Sequence, residues 1–545
     1  MPARRNSTGS QTAWNEYMKG NEPKESFMSK WLRDAVFYEI YPQSFKDTNN
    51  DGIGDINGII EKLDYINGLG CNAIWINPCF DSPFKDAGYD VRDYKKVASR
   101  YGCNNDLYRL FGEAHKKGMH VLLDLVPGHT SEEHLWFRQS QKDEKNEFTN
   151  RYIWTDFCFQ GSESDLPYIG GESERSATYI LNFFKCQPAL NYGFLKPDKD
   201  WQLPIDHPDC LATREAIKDV MRFWLDHGCD GFRVDMAASL VKHDDEMKSG
   251  TTVVWKDILA MLRHDYPEAA MVSEWSNPKL ALRAGFDMDF YLDDSGSGYR
   301  SLLRDYKNYK TNKDAVDNSF FRKDGEGDIR RFLNQYLDDY NDTKSIGYIS
   351  MITCNHDTER PAYHLSQDEL KIAYAFIFTM PGVPFLYYGD EIGMRYHKLP
   401  SFEGGYFRTG SRTPMQWDNT ENVGFSKGCA DSLYLPVDGS LDAPNVAAEE
   451  NDKDSLLNTV RRILRFRHDH LSLQADADIE FIYAEAHELP VIYRRGEFVI
   501  AVNPSQDRQS VNMDIDQSNV VFQIGNGSNV NGVITLDPQS FVVFG

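Results

Sequence analysis

The chain has 545 residues, 41% hydrophobic and 26% charged, which allows a large core and more than one domain and excludes a disordered or collagen-like polymer. Its 59 basic and 83 acidic side chains leave a net charge of -24, which opposes nucleic acid and anionic membrane surfaces as partners. No run approaches the roughly 18 apolar residues of a membrane span. The opening MPARRNSTGSQTAWNEYMKG has no apolar stretch after its arginines, so an unexported, cytoplasmic soluble protein is expected. Nine cysteines, odd in number and without CxxC spacing, predict buried free thiols rather than a disulfide framework or a zinc cluster.

Residues 1–30 are polar and aperiodic and predict an N-terminal arm. From Val36 onward apolar runs alternate with amphipathic stretches: VFYEIYPQSF, INGIIEKLDYINGLG, AIWINP, NDLYRLFGEAHKKG and HVLLDLVPGH. Continuous apolar strands of this kind suit a parallel sheet buried on both faces. Between 130 and 206 Gly, Ser, Asp, Pro and aromatics replace the rhythm, which predicts an inserted subdomain. The alternation resumes from REAIKDVMRFWLDHG and GFRVD to VPFLYYGDE and SLLNTVRRILRFRHDH, giving about eight strand and helix pairs, the number that closes a (β/α)8 TIM barrel. The barrel is expected over 31–129 and 207–474. Over 475–545 the period shortens to alternating strands with Asn and Gly turns, which predicts a C-terminal antiparallel β-sandwich.

Reactive residues of such a barrel stand at the C-terminal ends of its strands. Asp90 and His129 follow the second and third strands, Arg233 and Asp235 lie on the fourth, Glu274 ends the fifth, and His356 and Asp357 end the seventh. One acid at a strand end is ordinarily a cap or loop anchor. Several carboxylates converging on one mouth would repel each other unless substrate or chemistry required them. Separately, DTNNDGIGD places oxygen-bearing Asp47, Asn49, Asp51 and Asp55 in a glycine-containing loop that begins like a calcium loop; the EF-hand pattern fails because its twelfth position is Gly58.

The motifs DLVPGH (124–129), GFRVD (231–235), SEW (273–275) and CNHD (354–357), with GYDVRDY, QPALN, GVPFLYYGDE and SRTPMQWD, resemble in order and spacing the signature regions of the α-amylase superfamily, glycoside hydrolase family 13. The oligo-1,6-glucosidase and α-glucosidase group is the nearest likeness. The resemblance implies an enzyme in which Asp235 is the nucleophile, Glu274 the general acid and base, and Asp357 the stabiliser of the transition state. Arg233 would keep Asp235 ionised, and apolar surroundings beside Trp275 would raise the pKa of Glu274. Tyr89, Asp90, His129 and His356 would hold the first glucose, and Asp90 paired with Arg412 would close the pocket behind it. It also implies one structural calcium or magnesium ion on Asp47, Asn49, Asp51, Asp55 and the Ile53 carbonyl.

The expected activity is retaining, exo-acting hydrolysis of short α-glucosides. The alternatives are a glucosyltransferase or isomerase of the trehalose or isomaltulose synthase type, and a non-catalytic relative, which the three retained carboxylates oppose. Departures from the family pattern bear on three points: Gly128 for the usual calcium-binding Asn opposes a second metal between barrel and insert, Ala238 and Ser239 where endo-amylases have Lys and His oppose endo action, and Met236 after the nucleophile with Ala189 in the insert leaves linkage unread.

Overall fold

A computed structural model describes residues 28–163, 166–292, 297–306, 317–404 and 408–545. Of the predicted arm, residues 1–27 lie outside the described residues. Eight parallel strands form the central sheet: β1 Phe37–Ile40, β2 Ala73–Ile76, β3 His120–Leu125, β4 Gly231–Val234, β5 Ala270–Ser273, β6 Met288–Tyr291, β7 Tyr348–Met351 and β8 Phe385–Tyr387. They pair in sequence order, and β1 pairs with β8 through Phe37 and Phe385. Between β7 and β8 the barrel is closed by a bridge from Ile352 to Phe385 just beyond β7. Every residue of these strands except His120 is buried, which explains why they read as continuous apolar runs. The interior is packed by rings: Phe290 lies 5.4 Å from Trp75 and 4.8 Å from Phe385 between centroids.

Each strand is followed by helix. The long ones are α1 Asn104–Lys116, α2 Pro208–Asp226, α3 Ser249–Asp265, α4 Ile329–Thr343, α5 Gln367–Thr379 and α6 Leu456–Asp469. Their ends follow local chemistry: Ser366 and Glu369 form a reciprocal capping box on α5, and the Asp328 and Ser455 side chains cap α4 and α6. After β5 only Pro278–Arg283 is helical, too short to show a period in the sequence. Pro42–Phe45, read as strand, is a helical turn, because Tyr41 leaves the strand at a proline. The insert is mostly irregular, with the helix Leu135–Ser140 and a hairpin of Tyr168–Gly170 with Thr178–Ile180.

The C-terminal part has eight strands: β9 Glu480–Tyr483, β10 Val491–Arg495, β11 Phe498–Asn503, β12 Gln509–Asn512, β13 Val520–Ile524, β14 Gly527–Val530, β15 Val533–Leu536 and β16 Ser540–Phe544. They form a five-stranded sheet β9-β10-β11-β16-β13 and a three-stranded sheet β12-β15-β14. Ile492, Val499, Ala501, Ile534, Leu536, Val542 and Phe544 fill the core between the two sheets. A buried arginine ties this part to the barrel: Arg495 on β10 donates to the carbonyls of Thr379 and Gln474, while within the barrel Arg467 on α6 donates to those of Phe378, Met380 and Gly382. All nine cysteines are free; Cys103 and Cys429 are exposed and Cys158 half-buried, not buried as expected. Among the described residues no helix is long and apolar enough to cross a membrane.

The strand that carries Arg233 begins at Gly231, whose φ is +142° and where a Cβ would stand 1.9 Å from the carbonyl oxygen of Ala270 on β5. Any side chain must push β4 off β5. Gly231→Ala should therefore lower stability by about 2 kcal/mol or more, measured as a shift of the urea midpoint at unchanged slope; an unshifted midpoint would show that the two strands can part without cost.

Candidate active site

Strand register brings the charged groups together. Asp124 on β3 is the cross-strand partner of Arg233 on β4, and Asp235, two residues further, points to the same side. Glu274 follows β5, its amide bonded to the Val234 carbonyl. The Arg233 guanidinium lies 2.8 Å from Asp124, 3.3 Å from Asp235 and 2.8 Å from Glu274. Met236 takes a left-handed backbone, φ 43° and ψ 44°, and donates its amide to Glu274 Oε2 at 2.9 Å. Asp357 sits in the turn after β7, where Asn355 Oδ1 accepts its amide. Asp235, Glu274 and Asp357 line one cavity of about 270 Å³, with Tyr89 and His129. The expected catalytic carboxylates thus converge.

Burial first, and then the charge of Glu274, push the Asp235 carboxyl well above the ordinary range, with Arg233 opposing. The Asp235 side chain is the more enclosed of the two, 10% exposed against 19% for Glu274, and both carboxyls share the single Arg233 guanidinium. Asp124, fully enclosed behind Arg233, is raised to about 6 by burial. Asp357 goes the other way: burial raises it, but the charges of Arg408 and Arg412 hold it well below the usual carboxylate range.

The predicted pair of Asp90 with Arg412 does not form. Asp90 accepts the Ser82 hydroxyl and the amides of Lys85 and Asp86, so its carboxyl braces its own loop, and burial raises its pKa to about 6. Arg412 binds Asp357 at 2.5 Å and the His356 carbonyl at 2.8 Å. The ion pair at the cavity wall is Asp86 with Arg408, and Gln187 donates to Asp86 at 2.6 Å. Both residues went unread although each lies four positions before the residue chosen.

His129 is buried; its Nδ1 faces the Asn182 amide at 3.1 Å and its Nε2 the Tyr89 carbonyl at 3.2 Å, and burial lowers its pKa to about 3. Asn182 Oδ1 in turn accepts Lys242 Nζ at 2.9 Å, which also reaches the Ser239 carbonyl at 2.7 Å and joins insert to barrel. Gly128 precedes His129 because a Cβ there would meet Asn182 Nδ2 at 2.7 Å.

In the DTNNDGIGD loop Asp47 accepts the amides of Asn50 and Gly52, Asn49 the amide of Asp51, and Asp51 the amide of Ile53. Asp55 caps the helix Ile56–Glu61 and takes the Thr48 amide and hydroxyl. The oxygens present are of the hard kind that calcium and magnesium prefer. Among the described residues, no three His, Cys, Asp or Glu side chains gather around one point.

The family described as "Alpha amylase, catalytic domain" matches residues 39–476. Oligo-1,6-glucosidase of Heyndrickxia coagulans is 30% identical over 92% of this chain and 96% of that protein. Trehalose synthase/amylase TreS of Mycolicibacterium smegmatis is 31% identical over 81% of this chain and 77% of its own. Among solved structures, an alpha-glucosyl transfer enzyme, XgtA, superposes with a TM-score of 0.77 at 26% identity, covering 94% of this chain and 99% of its own. An isomaltulose synthase from Erwinia rhapontici NX5, in complex with sucrose, also superposes at 0.77, with 25% identity and coverage of 94% and 99%. The chain belongs to the α-amylase family.

Because Arg233 restrains the upward shift of Asp235, Arg233→Met should raise the acid limb of the pH profile of kcat/KM by about 1–3 pH units. The ionised form of Asp235 is lost as pH falls through its pKa, and a higher pKa moves that loss to higher pH. A limb that stays in place would remove Arg233 from the electrostatics of the reaction.

Proposed function

We propose that this member of the α-amylase family is a retaining, exo-acting α-glucosidase for short α-glucosides. The observation that carries the reading is a small cavity holding the three carboxylates and walled on one side by the Asp86–Arg408 pair. Asp235 attacks the anomeric carbon as the glycosidic C–O bond breaks, and Glu274 hands its proton to the departing oxygen. Water then gives a proton to Glu274 and its oxygen to the same carbon, and Asp235 leaves as a carboxylate. Two displacements return the α-anomer. Asp357, held ionised by Arg408 and Arg412, faces the positive charge that develops on the sugar ring.

A second reading is transfer or isomerisation of the glucosyl unit. Phe183, Met236, Trp275 and Leu292 give the cavity an apolar side on which a second sugar could wait while water is kept away. The relatives named for trehalose synthase and glucosyl transfer lend it weight.

One assay separates the readings. Maltose, isomaltose, sucrose and trehalose, and a reducing-end-labelled maltoheptaose or isomaltoheptaose, are incubated with enzyme, with Asp235→Asn as the control expected to be slower by about 10⁴-fold or more. Free α-glucose and stepwise loss of single units are the expected result. A rearranged disaccharide would favour isomerisation, and mid-sized fragments would mean an open cleft.

We propose further that calcium or magnesium, on binding, draws Asp47, Asn49, Asp51, Asp55 and the Ile53 carbonyl together onto one structural ion, which would stiffen the loop without entering the chemistry. An ion bound only by the folded chain adds stability by mass action. Chelation should lower the melting temperature and elemental analysis should find one ion per chain; an unchanged melting curve with no metal would reject the site.

A further inference from the structure

Beneath the cavity floor a line of polar side chains crosses the barrel interior, and its innermost member takes no part in the chemistry above. Glu39, on β1, is fully buried. Its Oε1 lies 2.9 Å from His356 Nδ1 and 3.1 Å from Asn77 Nδ2, and that same Asn77 nitrogen lies 3.0 Å from Nδ1. On the far side of the ring, His356 Nε2 is 2.7 Å from the Tyr89 hydroxyl. That hydroxyl is 3.0 Å from Asp124 Oδ2 and 3.3 Å from the Arg233 guanidinium. The Tyr89 ring, stacked on His356 at 5.3 Å, is part of the cavity wall.

Donor and acceptor accounting gives the line a direction. The Asn77 amide nitrogen can only donate, so Nδ1 presents a lone pair. Glu39 Oε1, at hydrogen-bond distance from the same lone pair, must then bring a proton of its own. His356 accordingly carries its proton on Nε2 and donates to Tyr89, whose single proton is free for Asp124. The reverse direction would set a Nδ1 hydrogen against the Asn77 amide hydrogens, and would turn the Tyr89 proton away from Asp124. It would also leave an ionised Glu39 with Oε2 buried and unpartnered.

The surroundings agree with the first direction. Burial, with Asp124 and Asp357 nearby, raises Glu39 against the Asn77 hydrogen bond and the pull of Arg233, and burial, followed by Arg412, Arg233 and Arg408, lowers His356 against the pull of Asp357.

We propose that Glu39 is a positioning residue that works as a neutral acid, its proton fixing the Nε2–H form of His356 and hence the direction of the hydrogen-bond line through Tyr89 to Asp124. The effect on turnover rests on the cavity being the glucosyl site; the protonation does not.

The test compares Glu39→Gln with Glu39→Leu. The glutamine amide donates to Nδ1 in the same direction, so its kcat and pH profile should stay within about 3-fold of the parent, whereas leucine has no proton to offer and should lower kcat about 10-fold or more. In ¹⁵N-histidine-labelled protein, with the His356 signal assigned by its loss in His356→Gln, the parent and Glu39→Gln should both show the Nε2–H form. A Nδ1–H ring or an imidazolium in the parent overturns the proposal. So does a glutamine variant as slow as the leucine variant, or a leucine variant as fast as the parent. If Glu39→Leu does not fold, the ring form and the glutamine rates decide; if no α-glucoside is turned over, the ring form alone decides.

Discussion

Arg233 is the cation around which the mouth of the barrel is organised. It stands among Asp124, Asp235 and Glu274, all within hydrogen-bonding or ion-pair distance, and among the described residues none of the three forms an ion pair with a second cation. One positive charge faces three acids in an enclosed site, and burial pushes the carboxyls of Asp124 and Asp235 upward against its pull. The second cluster is balanced differently. Arg408 and Arg412 face Asp86 and Asp357, two charges against two, and Asp357 stays ionised. Carboxyls raised by burial on one side and a carboxyl held low by arginines on the other therefore face each other across one cavity.

This arrangement depends on strand register more than on any loop. Asp124 meets Arg233 because their residues are cross-strand partners, and Asp235 and Glu274 follow because each is bonded at its backbone to the end of a neighbouring strand. A barrel filled with aromatic and branched side chains gives such groups little freedom to relax apart. The electrostatic stress is borne by the whole sheet, including Gly231, which lets β4 lie close against β5.

Much of this was legible beforehand. Strands buried on both faces leave continuous apolar runs, so the barrel and the strand-end positions of Asp235, Glu274 and Asp357 could be read directly. What failed was choice within a loop. Asp86 and Asp90 flank one turn, as do Arg408 and Arg412, and nothing in a linear spacing of four says which side chain faces the cavity and which turns back to amides. Asp124 lay inside a motif already noticed, but its role exists only across the β3–β4 ladder. The strands Gln509–Asn512, Val520–Ile524 and Gly527–Val530 were not read from the sequence: all three are largely exposed, and their pairing is set by neighbours rather than by their own composition.

Met236 has one further implication. Its backbone is left-handed, its amide holds Glu274, and its side chain faces the cavity. A β-branched residue there would pay a conformational cost that an unbranched one avoids. Position 236 thus couples cavity shape to backbone geometry: drift at this codon changes pocket width only by also disturbing the backbone whose amide holds Glu274. Lineages that alter their sugar preference through this residue would need compensating changes nearby, and a laboratory library randomised here alone should be dominated by slow enzymes before it yields altered ones.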